Sequence, residues 1–262
     1  MYLRELFARQ ILSEGGNVFK TKDGTPMTQR INQADVPTTV KWLEKITGLD
    51  LTGETIDKGG VPIHWLGSTG RKPTSGDLDL VVLTTDATKE QVAAKLGAWA
   101  RSQGVNDNDI FNKGKDKNDG WIKMAGEVHF RAPIAGNPKN GFVQADFNFF
   151  PSVELRDWAT FYMAGTSEKF KGVHRNVLLS SLAKFQGLKV GANGMIDRAT
   201  NEPAKNGLDP DYVARVILNK KATRENLATV ESIFKALEKD PQRDAKLADF
   251  VGYAEREGLT LP

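Results

Sequence analysis

Apolar residues recur at helical spacing in the first and last parts of the chain and mostly at strand spacing between them. Before residue 60 and after Pro151, apolar side chains return every three to four positions, the period of an amphipathic helix. Between residues 61 and 150, several short segments alternate apolar with polar side chains, as strands do. The pattern predicts an α+β fold in which a small central sheet lies between two helical regions.

Proline and glycine mark several ends of the predicted elements. Pro37 suits the first turn of a helix, and Gly104 suits the position just after one. The predicted helices are 37–48, 88–103, 155–164, 175–186, 209–219, 224–237 and 244–257. The predicted strands are 62–66, 78–83, 121–131 and 141–150. We expect three parts, namely a helical N-terminal region at 1–60, a sheet domain at 61–154 and a helical C-terminal region at 155–262.

The composition excludes some classes of protein without identifying one. Because the sequence has no cysteine, it has no disulfide and no thiolate ligand, and any metal is expected on oxygen ligands. No apolar run reaches the roughly 18 residues that cross a bilayer, and the first ten residues mix charges with apolar side chains. We expect a soluble intracellular protein without a membrane partner. The net charge of +3 is too small to indicate a nucleic-acid partner, and nothing indicates a protein partner.

Two aspartates, Asp77 and Asp79, stand two residues apart at the start of a predicted strand. Because side chains alternate across a strand, both carboxylates project from one face, and Leu78 and Leu80 project from the other. Two carboxylates at this spacing repel each other unless a cation lies between them, and hard divalent ions prefer oxygen ligands. With the loop that precedes them, a metal site is favoured over the alternative of two solvated aspartates at a strand end.

The loop before the two aspartates contains groups that suit phosphate. Gly67 and Ser68 offer backbone N–H groups and a hydroxyl, and Arg71 can make a bidentate contact to phosphate oxygens. Gly76 directly precedes the first aspartate. The loop and the acids together predict a site for a metal ion and a triphosphate.

A third carboxylate is expected from a neighbouring strand. In segment 141–150, Asp146 shares a polar face with Gln144 and Asn148, opposite a face of apolar and aromatic side chains. An unpaired charge is costly to bury there, and a metal beside the other two acids would remove that cost. Asp146 is therefore predicted to bind the metal that activates an attacking hydroxyl and to help accept its proton. Glu127, on an adjoining predicted strand, is the alternative third acid.

The order of these motifs resembles the nucleotidyltransferase superfamily typified by DNA polymerase β. The shared pattern is a Gly-Ser turn, a short basic loop, Gly-Asp-Leu-Asp and a distant strand aspartate. The later segments are similar to family X DNA polymerases, in which an aromatic pair, a Gly-Ser/Thr turn and a basic helix follow, and the similarity covers residues 61–218. The resemblance implies an α+β fold with a nucleotidyltransferase (polymerase β-like) palm that contains a small mixed sheet, and a thumb-like C-terminal region. It also implies the activity of a small family X-like DNA polymerase.

The resemblance also implies roles for individual residues. Asp77, Asp79 and Asp146 would be catalytic and would bind Mg²⁺ or Mn²⁺. The implied nucleotide-binding residues are Gly67, Ser68, Arg71, Gly76, Tyr162 and Gly165. The implied nucleic-acid-binding residues are Lys171, Arg175 and Lys184. The implied substrates are a nucleoside triphosphate and a DNA 3′ end, with an RNA end as the alternative acceptor.

The sequence leaves other functions open. A template-independent transferase acting on RNA ends or on a non-polymer acceptor would keep the same acids, and a non-catalytic nucleotide- or nucleic-acid-binding module would keep the fold. Met163 stands where the family has the second aromatic residue of its sugar pocket, which leaves the sugar preference open. His64 is expected to be a structural residue and His129 a surface residue. The sequence assigns no role to residues 1–60.

Overall fold

The computed structural model describes residues 18–57, 59–111, 119–164, 167 and 169–262. The chain divides between Ser152 and Val153 into two compact units. The first unit contains a mixed sheet with helices packed on one face, and the second unit is mainly helical. The described helices all fall short of the length and hydropathy that a membrane-spanning helix requires.

The first unit contains the main sheet. Its elements in chain order are β1 (Ile31–Asn32), α1 (Val36–Thr47), β2 (Thr74–Ser75), β3 (Asp77–Leu83), α2 (Lys89–Ser102), α3 (Asp107–Ile110), β4 (Ile122–Met124), β5 (Val128–Pro133) and β6 (Phe142–Phe150). The strand order is β3-β6-β5-β4, with β3 parallel to β6 and the other neighbours antiparallel. β1 and β2 form a separate antiparallel pair. The predicted α+β fold with a small mixed sheet is confirmed.

One face of the sheet forms the core of the first unit. Leu78 and Leu80 of β3 lie opposite Ala145 and Phe147 of β6, and all four side chains are fully buried. Phe130 of β5 extends this apolar face, and α1 and α2 cover it. Because side chains alternate along a strand, the same packing leaves the polar residues of β3, β5 and β6 together on the opposite face.

The two helices that cover the sheet begin and end within one residue of the predicted positions. Thr88 caps the start of α2, since its hydroxyl accepts from the Gln91 backbone N–H and the Gln91 side chain accepts from the Thr88 N–H. α1 ends at Gly48, whose φ of 66° is the left-handed conformation that glycine adopts without strain.

The second unit is a helical assembly with one hairpin. Its elements are α4 (Val153–Met163), α5 (Gly172–Phe185), β7 (Leu188–Gly191), β8 (Gly194–Asp197), α6 (Pro210–Ile217), α7 (Val230–Leu237) and α8 (Arg243–Arg256). β7 and β8 are antiparallel. Trp158 of α4 is fully buried in the core of this unit, and its indole N–H donates to the Gly191 carbonyl at 2.8 Å.

Three predicted elements differ from the observed ones. Segment 62–66 runs along the free edge of β3 and is joined to it by one bridge, between Trp65 and Leu80. Its backbone hydrogen bonds to β3 alternate with hydrogen bonds of local turns, so the segment is not a regular strand. Segment 121–131 is two strands, β4 and β5, because a tight turn closes with the Ala125 N–H donating to the Glu127 carbonyl at 2.9 Å. Segment 224–237 is a 3₁₀ turn followed by α7, since Thr229 caps a new helix.

The part of region 1–60 that the structure describes contains α1 as its helix and the short strand β1. These elements belong to the same compact unit as the sheet. Residues 1–17, which the sequence predicts to be partly helical, lie outside the described residues.

Candidate active site

The parallel pairing of β3 and β6 brings the three predicted acids to one place on the polar face of the sheet. Asp79 lies directly opposite Asp146, and Asp77 lies opposite Gln144. Neighbouring strands are about 4.8 Å apart, so side chains paired in this way are adjacent on the same face. Asp77, Asp79 and Asp146 therefore form one carboxylate cluster.

The turn before β5 adds a fourth acid, Glu127, to this cluster, and β5 adds a histidine, His129. His129 lies opposite Asp146 in the antiparallel register, and its Nδ1 is 2.7 Å from Asp146 Oδ1. Glu127 Oε2 is 4.0 Å from the same Nδ1. Ligand atoms of Glu127, His129 and Asp146 lie within 4.8 Å of one another, so these three residues could hold a metal ion. Glu127, the alternative third acid, thus stands beside Asp146.

Both oxygens of the Asp146 carboxylate have protein partners. His129 contacts Oδ1, and the Gln144 side-chain amide donates to Oδ2 at 2.8 Å. Gln144 is itself fixed because its Oε1 accepts from the Val18 N–H at 2.9 Å. The expectation that His129 is a surface residue is wrong, since its side chain is 13 % exposed. These contacts hold the Asp146 carboxylate in one orientation.

The acids of the cluster disfavour one another's charge. Burial, followed by the charge of Asp146, raises the pKa of Asp77 to about 6, and Arg30 opposes this shift. Burial, followed by the charges of Asp77 and Asp146, raises the pKa of Asp79 well above its usual range, although Asn148 donates a hydrogen bond to its carboxylate.

The pKa values of Glu127 and His129 are shifted by the same carboxylate charges. Burial and then the charge of Asp146 raise the pKa of Glu127. Burial alone would lower the pKa of His129, but its hydrogen bond to Asp146 and the nearby carboxylates raise it overall.

The residues present fit a divalent cation such as Mg²⁺ or Mn²⁺. The charges of neighbouring carboxylates help to raise the pKa values of Asp77, Asp79 and Glu127 on a partly buried face, and a cation between the acids would remove that repulsion. The ligands on offer are mainly carboxylate oxygens, which hard divalent ions prefer, with one imidazole that Mn²⁺ also accepts.

We therefore expect the stability of the metal-free protein to fall as the pH rises from about 4 to about 7. Asp77 and its neighbours bind protons more tightly in the folded protein than in the unfolded chain, so their ionisation lowers the free energy of unfolding. For Asp77, this loss is complete above its folded pKa of about 6. The raised pKa of His129 adds stability that is also lost as the pH rises. Thermal unfolding in EDTA measures this profile.

Mg²⁺ should raise the melting temperature near pH 7 and have little effect near pH 4.5, where Asp77 is protonated. Asp77→Asn should flatten the metal-free profile. A profile that rises between pH 4.5 and 7, with no effect of Mg²⁺, would contradict the metal site.

The predicted phosphate loop wraps around Asp79. The Leu66 N–H donates to the Asp79 carbonyl, and the Asp79 N–H donates to the Thr69 hydroxyl, both at 2.9 Å. Gly67 has a φ of 55°, and a Cβ built on it would lie 3.0 Å from Asp79 Oδ2. Position 67 therefore requires glycine both for its backbone conformation and for the close approach of the loop to the carboxylate.

Gly67→Ala should weaken Mg²⁺ binding by about tenfold to a hundredfold, because the new Cβ displaces the Asp79 carboxylate. Gly104→Ala is the matched control, since Gly104 has a φ of 80° and open space around its Cβ position. Both variants should lose about 1 kcal/mol of stability from backbone strain. Equal Mg²⁺ affinities of the two variants would show that the contact of Gly67 with Asp79 does not affect metal binding.

Other residues of the loop have structural roles. Arg71 is paired with Asp57, Nη2 to Oδ2 at 2.7 Å, and also donates to the Trp65 carbonyl. Its guanidinium thus closes the loop, in contrast to the predicted contact with phosphate. The Ser68 carbonyl accepts from the Ser75 hydroxyl at 2.8 Å, which fixes the turn. Gly76 has no positive φ, and a Cβ there would lie 3.5 Å from Arg30 Nη1.

The remaining predicted residues lie in the second unit, and Gly165 lies outside the described residues. Tyr162 is 6 % exposed and packs on Trp158, and burial raises its pKa to about 12. Arg175 is fully buried, with Nε donating to the Leu227 carbonyl at 2.6 Å. These two side chains belong to the core, which corrects their predicted contacts with sugar and nucleic acid.

Two predicted nucleic-acid contacts of the second unit are at its surface. Lys171 is exposed at the residue before α5. Lys184 is also exposed, and its Nζ pairs with Asp249 Oδ2 at 2.5 Å. Their exposure is compatible with a phosphate contact, whereas the burial of Arg175 is not.

His129 and Arg30 are the site residues that the sequence did not reveal. In β5, His129 and Arg131 alternate with the buried Val128 and Phe130, so the alternation places His129 on the polar face. No local signal connects Arg30 with the acids, since it precedes β1 by one residue and is distant from them in sequence.

The sequence matches no protein-family model and no curated protein. Function is therefore inferred from the residues of the site and their geometry.

Proposed function

We propose that the protein is a divalent-metal-dependent nucleotidyltransferase with a polymerase β-like palm. It transfers a nucleotide from a nucleoside triphosphate to the 3′ hydroxyl of a nucleic acid, with DNA as the acceptor, and releases pyrophosphate. The observation that carries the proposal is the register of β3 and β6, which sets Asp79 opposite Asp146 with Gly67 against the Asp79 carboxylate. Carboxylates from two adjacent strands beside a glycine turn suit a metal-bound triphosphate.

The chemistry requires one bond to form and one to break at the α-phosphorus. The 3′ oxygen attacks, the bond to the β-phosphate oxygen breaks, and pyrophosphate leaves in line with the attack. A divalent metal pair, when bound, supplies charge stabilisation for the attacking and leaving oxygens. Asp77 and Asp79 would hold both ions, and Asp146 would complete the site on the side of the attacking hydroxyl.

Asp146 is suited to receive the proton of the 3′ hydroxyl. Its carboxylate is fixed by His129 and Gln144, so it cannot turn away from the position that it shares with Asp79. A group held in a productive orientation accepts a proton without first losing conformational freedom.

Primer extension tests the proposal. Recessed, gapped and single-stranded DNA ends and an RNA end are incubated with Mg²⁺ and each dNTP or NTP, with Asp146→Asn as the inactive control. We expect templated addition to DNA by the wild type and none by the variant. Untemplated addition would instead identify a terminal transferase. Absence of transfer to any end, although the protein binds nucleotides, would favour another acceptor or a binding module.

A further inference from the structure

Arg30 lies beside the start of β3, the strand that carries Asp77 and Asp79. β1 pairs with β2 so that Ile31 lies opposite Ser75, which places the preceding Arg30 beside Gly76. A Cβ at Gly76 would lie 3.5 Å from Arg30 Nη1, in ordinary contact. The next residue after Gly76 is Asp77, whose pKa the charge of Arg30 lowers.

The guanidinium of Arg30 is oriented by neutral groups. Its Nε donates to the Thr74 hydroxyl at 3.0 Å, and its Nη2 donates to the Thr74 carbonyl at 2.9 Å. Its Nη1 makes no hydrogen bond to the described residues, and Arg30 forms no ion pair within 4.0 Å with any of them. The side chain is exposed, so this nitrogen is accessible to a ligand.

An oriented guanidinium without a carboxylate partner, placed beside acids that fit a metal, is arranged to bind an anion. Arg71 cannot serve in the same way because Asp57 and the Trp65 carbonyl already occupy its guanidinium. Phosphate oxygens match the planar donors of arginine, and a phosphate at this position would also reach a metal held by Asp77.

We propose that Arg30 binds a phosphate group of a substrate at the entrance to the carboxylate cluster. The phosphate belongs either to the nucleoside triphosphate or to the nucleic-acid backbone. This inference rests on the proposed function for the identity of the substrates, while the binding of phosphate itself does not require transfer. It gives the region before β1 a role in the site.

The test compares Arg30→Ala, Arg30→Lys and Thr74→Val with Arg101→Ala. Arg101 is a matched control because it is another exposed arginine of the first unit, paired with Asp107. Binding of a non-hydrolysable nucleoside triphosphate analogue with Mg²⁺ and binding of a DNA primer are measured separately by equilibrium dialysis and fluorescence anisotropy. KM values for both substrates are measured where transfer occurs.

We expect Arg30→Ala to weaken the binding of one of the two ligands by about tenfold to a hundredfold. Arg101→Ala should bind both ligands like the wild type. Weaker nucleotide binding identifies the triphosphate, and weaker primer binding with a lower salt dependence identifies the backbone. The affinities of Arg30→Lys and Thr74→Val should lie between those of the wild type and Arg30→Ala. Lysine lacks the planar set of donors of a guanidinium, and valine removes the Thr74 hydroxyl that accepts from Arg30 Nε.

Unchanged binding of both ligands to a folded Arg30→Ala variant would overturn the inference. If the wild type transfers no nucleotide but loses triphosphate binding on Arg30→Ala, the phosphate contact stands and the proposed function fails. If the wild type transfers nucleotides and neither KM value changes in Arg30→Ala, the proposed function stands and the phosphate contact fails.

Discussion

Asp79→Asn should reduce nucleotide transfer by about a thousandfold or more and leave the protein at least as stable as the wild type. The loss follows because Asp79 is the carboxylate that lies opposite Asp146 and contacts the glycine turn. Charge stabilisation by a bound metal is worth several kcal/mol in the transition state, and each 1.36 kcal/mol changes the rate tenfold. The amide keeps the shape of the side chain and removes one of the charges that repel one another.

Two measurements test this variant near pH 7. One is nucleotide transfer with Mg²⁺, and the other is thermal unfolding without metal. Asp86→Asn is the matched control, because Asp86 is an exposed aspartate just after β3 whose carboxylate accepts a hydrogen bond from Thr85 and from no other described residue. It should keep wild-type activity and stability. Retained transfer by Asp79→Asn would refute the assigned role. A large fall in its melting temperature would show that Asp79 acts in folding instead.

The carboxylates could be predicted from the sequence because they depend on alternation within single strands. Alternation fixes which side chains share a face, and Asp77, Asp79 and Asp146 each stand on a polar face next to apolar neighbours. Alternation does not fix the partner of a strand or its register. The pairing of Asp79 with Asp146 therefore required the structure.

In the first unit, the errors concern an arginine and a histidine, whose surroundings depend on long-range contacts. Arg71 follows a Gly-Ser turn and so suggests a phosphate ligand, yet its partner Asp57 lies 14 residues earlier in a loop with no regular pattern. His129 carries no local sign that Asp146 will be its neighbour, because 17 residues and a strand turn separate them. A charged side chain can be solvated, paired or buried, and sequence alone does not distinguish these cases.

Arg175 illustrates the same limit in the second unit. It lies near other basic residues at the start of α5, which favoured a nucleic-acid contact. Its guanidinium instead donates to the Leu227 carbonyl and, through Nη1 at 2.9 Å, to the Tyr162 carbonyl. The Cζ atom of Arg175 lies 4.7 Å from the centroid of the Phe161 ring. Burial lowers its pKa to about 10, so the side chain keeps its charge near neutral pH.

Arg175→Ala should destabilise the second unit by about 3 kcal/mol or more. The substitution leaves two buried carbonyls, those of Leu227 and Tyr162, without their donors and opens a cavity as large as an arginine side chain. Arg175→Met should cost less, because it fills much of the volume and removes the penalty of burying a charge. Urea unfolding followed by the fluorescence of the buried Trp158 measures both effects.

Lys184→Ala provides the contrast that separates a structural role from nucleic-acid binding. Its exposed pair with Asp249 should contribute about 1 kcal/mol or less, so the variant should unfold like the wild type. Any loss of primer affinity in that folded variant would come from the missing charge. If Arg175→Ala unfolded like the wild type and lost only primer affinity, its carbonyl contacts would not stabilise the core. The buried position of Arg175 leads us to expect the opposite, with unfolding preceding any effect on binding.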